Sequence, residues 1–165
     1  MDKKNPMTRA GYQKLVSEYE HLTKEERPQV VKGVTAAAEE GDRSENAEYI
    51  YGKKKLREID KRLKYLGSLL KNVAVIIPEN LTGTKVCVGA TVLVEDEDAQ
   101  EKKWTIVGDG EADAREGTIS YKAPVARALL GKTVEDVVTV SRPKGEMELE
   151  IKALYFGSRL VAQSE

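Results

Sequence analysis

Five apolar residues, Leu56, Ile59, Leu63, Leu66 and Leu70, recur at spacings of three and four. That is a coiled-coil seam, and it must be buried against another helix. The partner stripe lies upstream in the same chain. Leu15, Tyr19 and Leu22 follow Thr8, which is placed as an N-cap, and Val30 or Val31, Val34 and Ala37 continue the stripe. Residues 8–77 therefore read as helical, with Pro28 kinking or restarting the helix because it lacks a backbone N–H. The economical arrangement is an antiparallel hairpin turning near Glu40-Gly41, in which each seam buries the other. About 30 residues of helix at 1.5 Å each give an arm of about 45 Å.

Beyond a linker at Asn80–Lys85 the period changes. Val86, Val88, Ala90, Val92 and Val94 alternate strictly, as in a half-buried strand. Glu95-Asp96-Glu97-Asp98 reads as an acidic turn, with a return strand at Lys103–Val107. Shorter strands are expected at Thr118–Tyr121, Val137–Val140 and Met147–Tyr155, the last two joined at Pro143-Lys144-Gly145. One short helix runs from Pro124 through Leu130 and stops at Gly131. The fold class is α+β: an N-terminal coiled-coil hairpin (1–79), then a small antiparallel sheet domain with one helix (80–165).

Charge divides along the same line. Residues 1–77 carry a net +4 and the remainder a net −5, within a total of −1. The two parts should offer different surfaces to partners. The single cysteine, Cys87, excludes an intramolecular disulfide and sits in the apolar run Val86-Cys87-Val88 as a packing thiol. The single histidine, His21, offers little for a His-based site and reads as a helix-surface residue. The N-terminus lacks the apolar core of a signal peptide, and no run is long and uncharged enough to span a membrane. A cytoplasmic protein without a membrane partner is expected.

The hexapeptide Gly41-Asp42-Arg43-Ser44-Glu45-Asn46 lies between the helical segments. Its D-x-x-E pattern is most simply a capping box, with Asp42 accepting from the N–H of residue 45 and Glu45 reaching back. Its position at the end of a long arm favours a probe as well. Arg43 and Asn46 add a cation and an amide beside the acids. Residues 53–64 hold seven basic and two acidic side chains. With Leu56 at 0° and 100° per residue, Lys53, Lys64, Arg57, Lys61 and Lys54 fall between about 60° and 160°. Lys55 and Arg62 lie on the other flank. A one-sided basic stripe suits a polyanion lying along the arm. The matching chemistry is Mg²⁺-assisted phosphoryl transfer, in which one or two protein carboxylates hold the ion beside water and substrate phosphates. Two acids make only part of such a site, so another protein would supply the rest.

The run Gly41 to Tyr49, followed by Lys53-Lys54-Lys55-Leu56-Arg57-Glu58-Ile59-Asp60, resembles the GreA/GreB transcript cleavage factors of bacterial RNA polymerase. The Arg-Ser pair and the basic continuation are closer to GreB. Further matches stand in order at Met7-Thr8-Arg9-Ala10-Gly11-Tyr12, Glu26-Arg27-Pro28, Val107-Gly108, Glu111-Ala112-Asp113 and Ala123-Pro124-Val125-Ala126-Arg127-Ala128-Leu129. The resemblance covers residues 7–156. It departs from the pattern at Glu48, which is GreA-like, at Ile50, where a polar residue is expected, and in the tail from Gly157.

The resemblance implies an FKBP-like C-terminal domain that docks at the mouth of the polymerase secondary channel. The hairpin enters the channel, and Asp42 and Glu45 reach the active centre. There they share Mg²⁺ with the polymerase, while the free protein holds no cofactor. The factor is then not an enzyme in its own right. It donates carboxylates, so the polymerase cuts the 3′ end of its own backtracked nascent RNA. Lys53, Lys54, Arg57 and Lys61 would contact that RNA. Pro124, Val125, Arg127 and Leu129 would lie at the polymerase contact, although Val125 and Leu129 serve equally well as core. Arg43, Ser44, Asn46 and Tyr49 would support the tip, and the free protein is expected to be a monomer. Two alternatives remain: a channel-blocking inhibitor on the same hairpin, and an FKBP-like isomerase or chaperone with a coiled-coil arm. Both tip acids argue against the first. The second finds few aromatics for its pocket beyond Trp104, Phe156 and the tyrosines.

Overall fold

The computed structural model describes residues 4–41 and 45–165. These form two compact units, residues 13–71 and residues 1–12 with 72–165. The division therefore falls at 12/13 and 71/72 rather than at the expected 79/80. The reason is a strand pair that helical periodicity does not register. β1 (Asn5–Thr8) pairs in parallel with β2 (Val73–Ile76), Asn5 opposite Val73 and Thr8 opposite Ile76. The pairing ties the segments on either side of the hairpin to the sheet unit.

In the hairpin unit, α1 (Arg9–His21), which begins in the other unit, leads into a π-helical turn at Leu22–Glu26. α2 (Arg27–Glu39) follows, with Pro28 in its first turn. Proline has no N–H to donate, and a widened turn accommodates the lost bond. α3 (Ala47–Leu70) returns along the hairpin. Its 24 residues span about 36 Å at 1.5 Å each. The helical reading to residue 77 therefore overshoots, because Val73 onward pairs as strand. The seam follows the spacing in part: Ile59 and Leu66 are buried, Leu56, Leu63 and Leu70 are half-buried, Leu69 is buried outside the expected spacing, and Tyr19 is exposed. Leu15, Leu22 and Ala37 are buried on one side and Ile59, Leu66 and Leu69 on the other. A Cβ on Gly52 would come within 2.6 Å of Val34 Cγ2, so glycine lets α2 and α3 approach closely there.

Three ion pairs cross the hairpin among the described residues, one of them from Lys55 to Glu26. The Arg62 guanidinium meets the Glu18 carboxylate through two bonds of 2.8 and 2.9 Å, and Arg27 meets Asp60 at 2.8 Å. Arg62 holds the Glu18 carboxyl below the usual glutamate range, and Arg27 does the same for Asp60, in each case chiefly through the side-chain hydrogen bond. A depressed carboxyl stabilises the fold fully above its unfolded pKa of about 4.3 (Glu) or 3.9 (Asp). That contribution is lost as pH falls through the lower folded values. Both arginine pairs are partly solvated, and after screening the Glu18 pair is worth a few tenths of a kcal/mol. Thermal melts followed by helical circular dichroism should show a small stability loss on acidification below about pH 4. In Arg62→Gln that loss should be smaller.

In the sheet unit, six strands run in the order β5-β4-β3-β7-β6, with β8 also on β7. They are β3 (Ala90–Glu95), β4 (Glu101–Val107), β5 (Thr118–Ser120), β6 (Val137–Arg142), β7 (Gly145–Phe156) and β8 (Arg159–Gln163). Neighbours are antiparallel except β4 and β5, which are parallel. β3 starts four residues later than the alternation suggests. Gly89, at φ +97°, turns the chain and donates its N–H to Ile106 O at 2.7 Å. Val86 is buried outside the strand. β7 pairs with β6 along its first half and β8 along its second. Its register against β3 skips Lys152. This bulge changes phase, so Leu149 and Ile151 before it and Leu154 and Phe156 after it all join the core. The tail past Gly157, unassigned by sequence, is the β8 hairpin arm. α4 (Pro124–Leu129) packs Ala126 and Leu129 into the same core.

Candidate functional site

The hairpin end is built around Asn46. α2 stops at Glu39, and the Glu40 N–H donates back to Ala37 O at 3.2 Å. Asn46 Nδ2 donates to the same carbonyl at 2.9 Å, and its Oδ1 accepts from the Tyr49 N–H at 3.1 Å. One amide thus gives a second donor to a terminal carbonyl of α2 and an acceptor to an orphan N–H of α3. Only a side chain with both a donor and an acceptor can do this. Asn46, marked by sequence as tip support, is the N-cap of α3. Tyr49 is half-buried in the first turn.

Glu45 precedes that cap and is exposed. It therefore lies outside the helix, not at the third helical position a capping box requires. This corrects the capping-box reading, since Asn46 takes the role itself. Asp42, Arg43 and Ser44 lie outside the described residues. Among the described residues, no group of three or more His, Cys, Asp or Glu side chains could hold a metal. One or two tip carboxylates fit part of an Mg²⁺ shell whose other ligands come from elsewhere.

Behind the tip, the basic residues of α3 divide by flank. Lys55 Nζ reaches Glu26 at 3.6 Å, and Arg62 holds Glu18. Lys53, Lys54, Arg57, Lys61 and Lys64 are exposed, and none makes an ion pair among the described residues. The predicted stripe is therefore a row of uncompensated cations. Flank and stripe follow the helical angles, because residues toward the partner helices find its acids and those away from them do not.

In the sheet unit, α4 presents Pro124 and Arg127 to solvent. Leu129 is fully buried. It holds α4 on the sheet and offers no surface of its own, so its burial supports the core role weighed for it and not that of a contact residue. Val125 is half-buried and lines a groove of about 530 Å³ with Trp104, Met147 and Leu149. The same groove carries Asp96, Glu97, Asp98 and Glu146 against Lys102 and Arg142. A mixed lining, half polar with an acidic excess, suits a cationic protein segment. Trp104 is its one aromatic, since Phe156 lies fully buried in the core. Burial pushes the Cys87 thiol up, away from thiolate chemistry.

Sequence reading passed over Glu111 as a functional group. Its carboxylate accepts from the Thr8 N–H at 2.9 Å, the Gly108 N–H at 2.8 Å and the Thr8 hydroxyl. Thr8 Oγ1 also accepts from the Gly11 N–H at 3.2 Å, confirming Thr8 as the cap of α1. A Cβ on Gly11 would overlap the Glu111 carboxyl. Met7–Tyr12, far away in sequence, thus converges with the neighbouring segments Val107-Gly108 and Glu111–Asp113 on one carboxylate.

Two family models cover most of the chain. Residues 5–75 match the N-terminal domain of transcription elongation factors, and residues 81–156 match the C-terminal domain of GreA/GreB transcription elongation factors. The transcription elongation factor GreB of Yersinia pestis is 49% identical over 146 residues, covering 88% of this chain and 85% of that protein. GreA of Nitratiruptor is 46% identical over 157 residues, covering 94% and 96%. Among solved structures, GreA factor homolog 1 of Thermus thermophilus is 25% identical, covering 93% and 99%, with a TM-score of 0.43.

Proposed function

Because the chain belongs to the GreA/GreB family of transcription elongation factors, we propose that it stimulates RNA polymerase to cleave the 3′ end of backtracked nascent RNA. The observation that carries this reading is the exposed Glu45 carboxylate ahead of the Asn46 cap, backed by a row of cations on α3 that make no ion pair among the described residues. Asp42 and Glu45 would share Mg²⁺ with the polymerase. When bound, the ion supplies Lewis-acid polarisation of the phosphodiester and a more acidic water. The tip carboxylates orient that water and accept its proton. Asn46 fixes the direction in which α3 leaves the tip. Lys53, Lys54, Arg57 and Lys61 neutralise phosphates of the displaced RNA. Pro124, Val125 and Arg127, with the adjoining acidic groove, form the docking face. The factor acts in the bacterial cytoplasm as a monomer until it binds polymerase, and chemistry proceeds only in the joint site.

The test is a stalled, backtracked elongation complex of bacterial polymerase, in which the protein shortens the RNA from its 3′ end. RNA left at full length sinks the proposal. In the same assay Lys54→Glu with Arg57→Glu should slow cleavage about ten-fold or more. The loss should be greater for long extruded segments than for short ones. Wild-type activity should also fall as salt rises, because phosphate contacts release counterions.

A further inference from the structure

Two large apolar side chains stand in water beside the basic stripe. Ile50 is 51% exposed and Tyr51 68% exposed, while the seam of α3 buries Ile59, Leu66 and Leu69. A single exposed apolar residue is ordinary. An adjacent pair at the end of a row of unpaired cations is not explained by packing. On the helical wheel with Leu56 at 0°, Ile50 falls at about 120°, inside the arc of the stripe, and Tyr51 at about 220°. Lys54, at about 160°, stands between them one turn further along. Tyr51 also lines a groove of about 320 Å³ with Val30, Gly33, Val34 and Gly52. A Cβ at Gly33 would meet nothing, so the groove has an open side there.

We infer that Ile50 and Tyr51 form a base-binding shelf, on which an unpaired nucleobase of the strand tracked by the stripe packs against the Tyr51 ring and Ile50 side chain. Charge complementarity selects the occupant. The shelf adjoins Lys53, Lys54 and Arg57, which make no ion pair among the described residues, and their natural counterpart is a phosphate backbone. Proteins that hold single strands without reading sequence combine a cationic track with platforms on which bases lie. Lys54 suits the phosphate of the same nucleotide. Phosphate contacts alone let a strand slide along the arm. A base seated near the tip fixes its register relative to Asp42 and Glu45. The inference rests on the cleavage reading above and adds a nucleobase subsite to it.

The experiment compares two RNAs in the backtracked complex: one intact, and one with a single abasic sugar moved stepwise through the extruded 3′ segment. For the wild-type protein, one abasic position should slow cleavage about ten-fold, the scale of a lost base stack. Ile50→Gln with Tyr51→Ser should be about ten-fold slower on intact RNA. It should lose nothing further on the abasic RNA. Equal loss on both RNAs overturns the inference and assigns the pair to a protein contact. An unchanged rate on intact RNA also overturns it. If the wild type cleaves neither RNA, the cleavage reading falls and takes the shelf with it. Since both residues are exposed, an unchanged thermal melt of the variant shows that the arm is intact.

Discussion

Asp42→Asn and Glu45→Gln should each reduce stimulated RNA cleavage by a factor of about 100 or more while leaving polymerase binding nearly unchanged. The two substitutions keep size and hydrogen-bonding capacity and remove only the charge. Glu45 is exposed and makes no ion pair among the described residues, so its charge does no structural work there. The helix start is secured by Asn46, whose amide contacts Ala37 O and the Tyr49 N–H whatever stands at position 45. The proposed docking residues Pro124, Val125 and Arg127 belong to the other unit. A carboxylate that holds a metal or accepts a proton from water cannot be replaced by a neutral amide. The readout is the single-turnover rate of RNA shortening, with binding measured separately by competition between variant and wild type. A charge-neutral double variant that cleaves at the wild-type rate would remove the tip from the chemistry. A variant that binds but does not cleave should behave as a blocker and compete with active protein.

Replacing Asn46 tests a different part of the same device. Asn46→Asp keeps the acceptor for Tyr49 but loses the donor to Ala37 O, whereas the tip acids keep all their chemistry. The cap and the carboxylate proposed for the chemistry are thus separate residues one position apart. The sequence pattern D-x-x-E suggested that they were the same.

What could be read in advance was what is local. The Leu56–Leu70 seam follows from a repeat visible within four turns, and the structure buries Ile59 and Leu66 accordingly. The split of the basic run into two flanks followed from helical angle alone, and the structure adds that Glu18 and Glu26 pair one of them. The α4 boundaries followed from Pro124 and Gly131. What failed was non-local. β1 and β2 are four residues each and mean little apart. Their pairing ends the hairpin reading at Leu70. The strand at Val86 was lost to one glycine whose backbone turn the alternation cannot express. Leu129 looked like a contact because α4 is short and lies in a distinctive segment, yet core packing claims it. The tip's chemistry was carried by family resemblance. The structure contributes Glu45 and Asn46 to it, and Asp42, Arg43 and Ser44 lie outside the described residues.

Glu111→Ala should destabilise the sheet unit by about 3 kcal/mol. Three donors lose their acceptor at once: the Thr8 N–H, the Thr8 hydroxyl and the Gly108 N–H. Thr8 is 7% exposed, so water replaces the carboxylate poorly. Each buried donor left unsatisfied costs about 1–3 kcal/mol, and water entering where the half-exposed Glu111 side chain stood holds the sum near the low end. The space left by the side chain adds a small cavity beside Gly11, whose missing Cβ is what admits the carboxyl. Glu111→Gln keeps one acceptor oxygen and the shape, and should cost about 1 kcal/mol, the net worth of an ordinary hydrogen bond. Thr8→Ala removes the hydroxyl and the bond from the Gly11 N–H but leaves the backbone bond in place, and should fall between the two. Since Thr8 and Glu111 share a bond, the double variant should cost less than the sum of the singles. Urea unfolding measures all four, with a lower midpoint and an unchanged slope. Additive losses would show that Glu111 and Thr8 act independently, and a wild-type midpoint for Glu111→Ala would show that the convergence of the three segments holds nothing together. The expected result makes the carboxylate the point at which the first turn of α1 is fastened to the loop after β4.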